Sequence, residues 1–94
     1  VFVMMNPSEY KLSQNYPNPF NPVTRINFQL PYDSHVTLKI YDVVGSEVAT
    51  LVNEIKAAGN YNLDFNASSL ASGVYYYKLQ AGDFVQNKKM ILMK

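Results

Sequence analysis

The chain has no cysteine, no tryptophan and a single histidine, and each shortage removes a class of chemistry. Without cysteine there is no disulfide framework, no thiolate metal site and no cysteine nucleophile. The charge excess is only +1, too small to indicate a nucleic-acid surface. No apolar run approaches the roughly 20 residues of a membrane-spanning helix. Val1-Phe2-Val3-Met4-Met5 is apolar, but it lacks the basic start and small-residue cleavage site of a secretory signal. It reads as the last residues of an upstream linker or domain, with a cloning remnant as the alternative. Helical periodicity is almost missing, so a helical bundle is excluded as well.

What is present belongs to a strand-built domain. Ninety-four residues suffice for one domain and are too few for two. A domain this small buries about 60–65% of its unfolded surface, so it needs an efficient core, which an apolar fraction of 48% can supply. Eight tyrosines and five phenylalanines match strand preference. Period-two alternation recurs along the chain. Thr24, Ile26, Phe28 and Leu30 share one face, as do Val36, Leu38 and Ile40, then Tyr61, Leu63 and Phe65, then Tyr75, Tyr77 and Leu79. In the last strand, Met90 and Leu92 are assigned to the inner face. Glu47 to Glu54 is less regular and predicts a bulged or edge strand, with a short helix as the alternative.

The punctuation fits this reading. Pro31-Tyr32-Asp33-Ser34 and Asp42-Val43-Val44-Gly45 are turn clusters, and Gly82-Asp83 is a two-residue hairpin turn. A short strand near Leu12 brings the count to about seven, at the spacing of a β-sandwich or barrel. Leu70-Ala71-Ser72-Gly73-Val74-Tyr75 has the layout of a tyrosine corner, which favours the sandwich.

The densest signal is Tyr16-Pro17-Asn18-Pro19-Phe20-Asn21-Pro22. Three prolines in six residues fix φ three times and remove three backbone donors. The expectation is a stiff entry into the first long strand, docked by Tyr16 and Phe20 as apolar anchors.

No catalytic constellation emerges. His35 stands alone on a turn, and the serines lie in turns and linkers outside any nucleophile-elbow pattern. The acidic residues lack the spacing of a calcium loop, and no carboxylate pair suggests glycosidase chemistry. Asn66-Ala67-Ser68 matches a glycosylation acceptor, for which chance is the better account. Tyr32, Tyr41 and Tyr76 could form an outward row that stacks on sugars; ordinary cross-strand pairing is the better account, since outward tyrosines are common in antiparallel sheets. The strand Lys88 to Lys94 reads either as an edge blunted by lysine or as a tail presented to a partner.

Taken together, Leu12 to Pro22, Thr24-x-Ile26-x-Phe28-x-Leu30-Pro31, Val36-x-Leu38-x-Ile40-Tyr41-Asp42-x-x-Gly45, Leu70 to Tyr75 and Lys89 to Lys94 resemble the type IX secretion system C-terminal sorting domain, type A. The resemblance implies an all-β, immunoglobulin-like antiparallel sandwich of about seven strands. Residues 1–11 would be a linker from an upstream cargo domain, and 12–94 the sorting domain. Such a domain directs attached cargo through the secretion translocon, from the periplasm across the outer membrane to the cell surface or medium. A sortase-like protease then often removes it, here by a cut near Val1 to Lys11. The family's proline motif falls on Tyr16, Pro17, Asn18, Pro19 and Phe20, its Gly-x-Tyr motif on Gly73 and Tyr75, and its basic tail on Lys88, Lys89 and Lys94. No cofactor, enzymatic activity, nucleic acid or membrane span is expected. The alternative is a carbohydrate-binding or structural immunoglobulin-like module of a secreted glycoside hydrolase.

Overall fold

The computed structural model of the chain describes residues 7–94. The apolar Val1–Met5 stretch lies outside the described residues. Seven strands follow in order: β1 (Lys11–Leu12), β2 (Val23–Leu30), β3 (Ser34–Tyr41), β4 (Glu47–Lys56), β5 (Gly59–Asn66), β6 (Gly73–Ala81) and β7 (Phe84–Leu92). They form two antiparallel sheets, a three-stranded β1-β2-β5 and a four-stranded β4-β3-β6-β7. The all-β sandwich expected from the alternation is what the chain adopts.

Each run of alternation places its apolar set inward. Ile26, Phe28 and Leu30 from one sheet meet Val36, Leu38, Ile40, Tyr77, Leu79, Met90 and Leu92 from the other, all buried. Their partners point to solvent, as the pleat of a strand requires. The irregular segment is an edge strand, not a helix. β4 slips register against β3 twice, between Leu38 and Lys39 and between Ile40 and Tyr41. These shifts explain why Val48, Leu51 and Val52 fit no single face: each bulge resets the alternation.

The turns hold as their residues dictate. The Asp42 carboxylate accepts from the amides of Val44 (3.1 Å) and Ser46 (2.9 Å), closing the β3–β4 turn. Gly45 adopts φ +87°, a conformation that costs any Cβ-bearing residue. β6 and β7 join through Gly82 and Asp83 alone.

The tyrosine corner is present. The Tyr75 hydroxyl donates to the Ala71 carbonyl at 2.7 Å, pinning the 67–72 crossover to the start of β6. Gly73 opens that strand at φ +155°, in a region reserved almost entirely for glycine. Tyr75→Phe should lower unfolding free energy by ~1–2 kcal/mol, since one hydrogen bond is lost and its acceptor is left in a half-buried site. A chemical denaturation midpoint equal to wild type would show that the corner contributes nothing.

Candidate functional site

The proline motif is not simply an entry into β2. It crosses from one sheet to the other and closes one side of the sandwich. On the β2 side, Tyr16 and Arg25 exchange both backbone hydrogen bonds, at 3.0 and 2.9 Å. On the β7 side, the Phe20 amide donates to the Ile91 carbonyl (2.9 Å) and the Met93 amide donates to the Phe20 carbonyl (2.9 Å). The bonds preceding Pro17, Pro19 and Pro22 are all cis.

The two expected anchors behave differently. Phe20 is buried against Phe65, with ring centroids 6.4 Å apart. Tyr16 is 80% exposed and anchors nothing with its ring. The correction has a plain cause. Tyr16 is held by its backbone opposite Arg25, whose side chain faces solvent, so Tyr16 faces outward with it and Asn15 faces the interior.

Asn15 is the residue that the buried side of this segment depends on. Its side-chain amide donates to Thr24 Oγ1 (3.0 Å) and to the Pro17 carbonyl (3.2 Å). Thr24 Oγ1 in turn donates to the same Pro17 carbonyl at 2.9 Å. Two buried polar side chains are thereby satisfied, and Pro17 is fixed by its carbonyl. Among the described residues no buried side-chain polar atom lacks a partner.

Tyr77, from the centre of β6, completes the arrangement. Its side chain is wholly buried and its hydroxyl donates to the Ser13 carbonyl (2.7 Å) while accepting from the Asn15 amide (2.8 Å). Burial pushes the Tyr77 phenol up to about 12, offset only partly by the Asn15 amide. Because its folded value exceeds the ordinary 10.0, this stabilisation is complete below pH 10 and is lost as pH rises towards 12. Wild type should lose ~2–3 kcal/mol more than Tyr77→Phe over that window, read as the difference between their stability-versus-pH curves. Parallel curves would contradict the assignment.

The tail of β7 is held along its outer edge. Gln14 Nε2 donates to the Lys89 carbonyl (2.8 Å), and Asn18 Oδ1 accepts from the Ile91 amide (2.9 Å). With the two Phe20 bonds, these cover the outward-facing carbonyls of Lys89 and Ile91 and the amides of Ile91 and Met93. From residue 89 onward, Gln14, Asn18 and Phe20 occupy this edge. Lys94 is held too, its amide by Ser72 Oγ (3.0 Å) and its ammonium by the Ser68 carbonyl (2.7 Å).

The structure brings the three motifs together at one end of the sandwich. Asn18 and Phe20 are bonded to the end of β7 and the residue after it; Gly73 pairs with Leu92; and Lys94 reaches the crossover that Tyr75 pins. Lys88 and Lys89 fall on opposite faces, Lys88 half-buried on the core side and Lys89 exposed on the outer side. Tyr77, Thr24, Asn15 and Gln14 are the residues that motif reading missed. A polar Thr24 on an otherwise apolar face was the available clue, because a buried hydroxyl demands a partner. In the segment preceding β1, Tyr10 stacks on Phe84 (5.2 Å) and its hydroxyl meets Ser34 Oγ at 3.1 Å.

Among the described residues no three acidic or histidine side chains converge as metal ligands. The arrangement is a clasp, built from backbone pairing and amide side chains. A model of the secretion system C-terminal sorting domain matches residues 14–93. The chain belongs to this family. No curated protein and no solved structure matches it significantly. The matched span takes in Gln14, Asn15 and the proline motif together with β2 to β7. The family is one of export signals of the type IX system, not of enzymes, and it implies an attached cargo and delivery to the surface or outside.

Proposed function

We propose that this sorting domain works as a folded address. It carries an N-terminal cargo from the periplasm through the type IX translocon, and a sortase-like protease then removes it by a cut upstream of the sandwich. Residues 1–11 are the linker and 12–94 the recognised unit. The chemistry is recognition without a cofactor. The observation that carries this reading is the family match over residues 14–93, which spans the proline, Gly-x-Tyr and tail segments at one end of the fold.

Within that reading, the motifs divide their work. Gly73 and Tyr75 set the crossover, and Tyr16 to Phe20 clasp β7. Lys89 and Lys94 are thereby displayed in fixed positions, with Lys88 supporting the strand from its inner face. The test is a fusion of the chain to a periplasmic reporter in a host with the secretion machinery. The complete fusion is expected outside the outer membrane. Deleting Met93 and Lys94 should retain the reporter inside while the domain still melts cooperatively. Equal export of the truncated fusion would show that the tail is not read.

A further inference from the structure

The outer face of the four-stranded sheet carries a feature that the clasp does not use. Lys39 and Lys78 stand directly opposite each other on β3 and β6, and Tyr41 opposes Tyr76 in the next outward-facing pair. Tyr76 in turn opposes Lys89, and Lys78 opposes Asn87, on β7. Like charges directly opposed across strands destabilise a sheet. Glu47, 3.1 Å from Lys39, relieves only that lysine; among the described residues neither Lys78 nor Lys89 has an acidic partner. Beside this row, Tyr41, Tyr76, Lys78 and Asn87 line a groove of about 330 Å³ with the β3–β4 turn. On that turn Val43 and Val44 are 67% and 81% exposed. Neither tyrosine ring stacks on another aromatic, unlike Tyr10, Phe20, Phe28 and Tyr61.

The opposite face of the sandwich is different. There Arg25 is neutralised by Asp64 at 3.0 Å, and Asn27, Asn60 and Asn62 satisfy one another. The β1-β2-β5 face thus pairs its central charge and leaves Lys11 and Tyr16 exposed singly, whereas the other face gathers Lys78 and Lys89 around tyrosines and protruding valines. Aromatic and aliphatic groups ringed by charge are the composition of a protein interface. Exposed valine tips offer a sugar little, whereas they suit an apolar side chain.

We propose that this face, centred on Tyr76 and Lys78, docks a protein partner whose contact surface is apolar and rimmed by carboxylates. The proposal rests on the sorting function, in which the partner is a component of the export route. It explains why a like-charge pair, relieved only on its Lys39 side by Glu47, stands beside this groove.

The test compares two charge reversals of equal size on opposite faces, Lys78→Glu and Lys11→Glu, in the reporter fusion; Lys11 is exposed on β1 opposite Gln29 and takes no part in the clasp. Lys78→Glu sets a carboxylate opposite Lys39, so the variant should melt at or above the wild-type temperature. Its export should nevertheless fall at least about tenfold, as expected for a charge turned against a complementary interface. Lys11→Glu should export as wild type. Unchanged export of Lys78→Glu, or equal loss in both variants, overturns the proposal while the sorting function stands. Failure of the unmodified fusion to export removes both. Retention of the chain on a polygalacturonate gel, lost in Lys78→Glu, would reassign the face to an anionic glycan and overturn the proposal.

Discussion

Phe20→Ala unfolds this domain more readily by ~3–5 kcal/mol, the range for truncating a buried phenylalanine. Two consequences combine at this position. The ring packs on Phe65 inside the core, so its loss leaves a cavity between the sheets. The same residue supplies both backbone bonds that hold Ile91 and Met93. Once the ring no longer fixes the segment, those bonds open. Hydrogen exchange should therefore accelerate at the Phe20 and Met93 amides, and at the Ile91 amide once Asn18 moves with the segment, before global unfolding, while the β3 and β6 amides stay protected. Uniform acceleration across all strands would show that Phe20 acts only as core volume. A loss below 1 kcal/mol would show that the site collapses around the truncation.

Tyr77→Phe is expected to cost ~2–4 kcal/mol, although it removes one atom and no packing. The hydroxyl serves two backbone groups of the entry segment, the Ser13 carbonyl and the buried Asn15 amide. Without it both are stranded near the apolar interior, and each such group carries a penalty of about 1–3 kcal/mol. The midpoint in urea should fall with little change in the slope, since the surface exposed on unfolding is the same. A loss no greater than that of Tyr75→Phe would mean that water replaces the hydroxyl. The two tyrosines thus differ in kind. Tyr75 ties a loop to its own strand, whereas Tyr77 ties the entry segment to the centre of the opposite sheet.

These two residues also mark what the sequence made legible. Period-two alternation gives the strands their inner faces because solvent and core impose the same rule on each residue in turn. It anticipates Ile26, Phe28, Leu38, Tyr77 and Met90 as core without any knowledge of topology. The tyrosine corner is equally legible, because its donor and acceptor lie four residues apart. The clasp is not. Gln14 reaches Lys89 and Asn18 reaches Ile91 across more than seventy residues, and no local pattern encodes which strand edge a segment will meet. The same limit explains Tyr16. Its neighbours and its aromatic ring suggested an anchor, but only the pairing of Tyr16 with Arg25 fixes which side of the backbone faces inward. Irregular β4 shows the intermediate case, in which loss of alternation revealed bulges but not their positions.

The clasp gives the proline motif a structural role. It covers the half of the β7 edge that leads into the tail, where unpaired backbone groups would invite pairing with another chain. It also holds the lysines of the tail in defined positions. An export route that reads a folded surface can use such a display, and one that reads an unfolded tail cannot.

The central claim, that the folded chain is itself an export address of the type IX system, is tested most directly by the location of a fused periplasmic reporter. The measurement is the fraction of reporter outside the outer membrane, in a host with the system intact and in the same host with its translocon disabled. The account predicts a reporter that is external only when the translocon works and only when the chain is attached. A reporter that stays in the periplasm in both hosts, or leaves the cell in both, would contradict it.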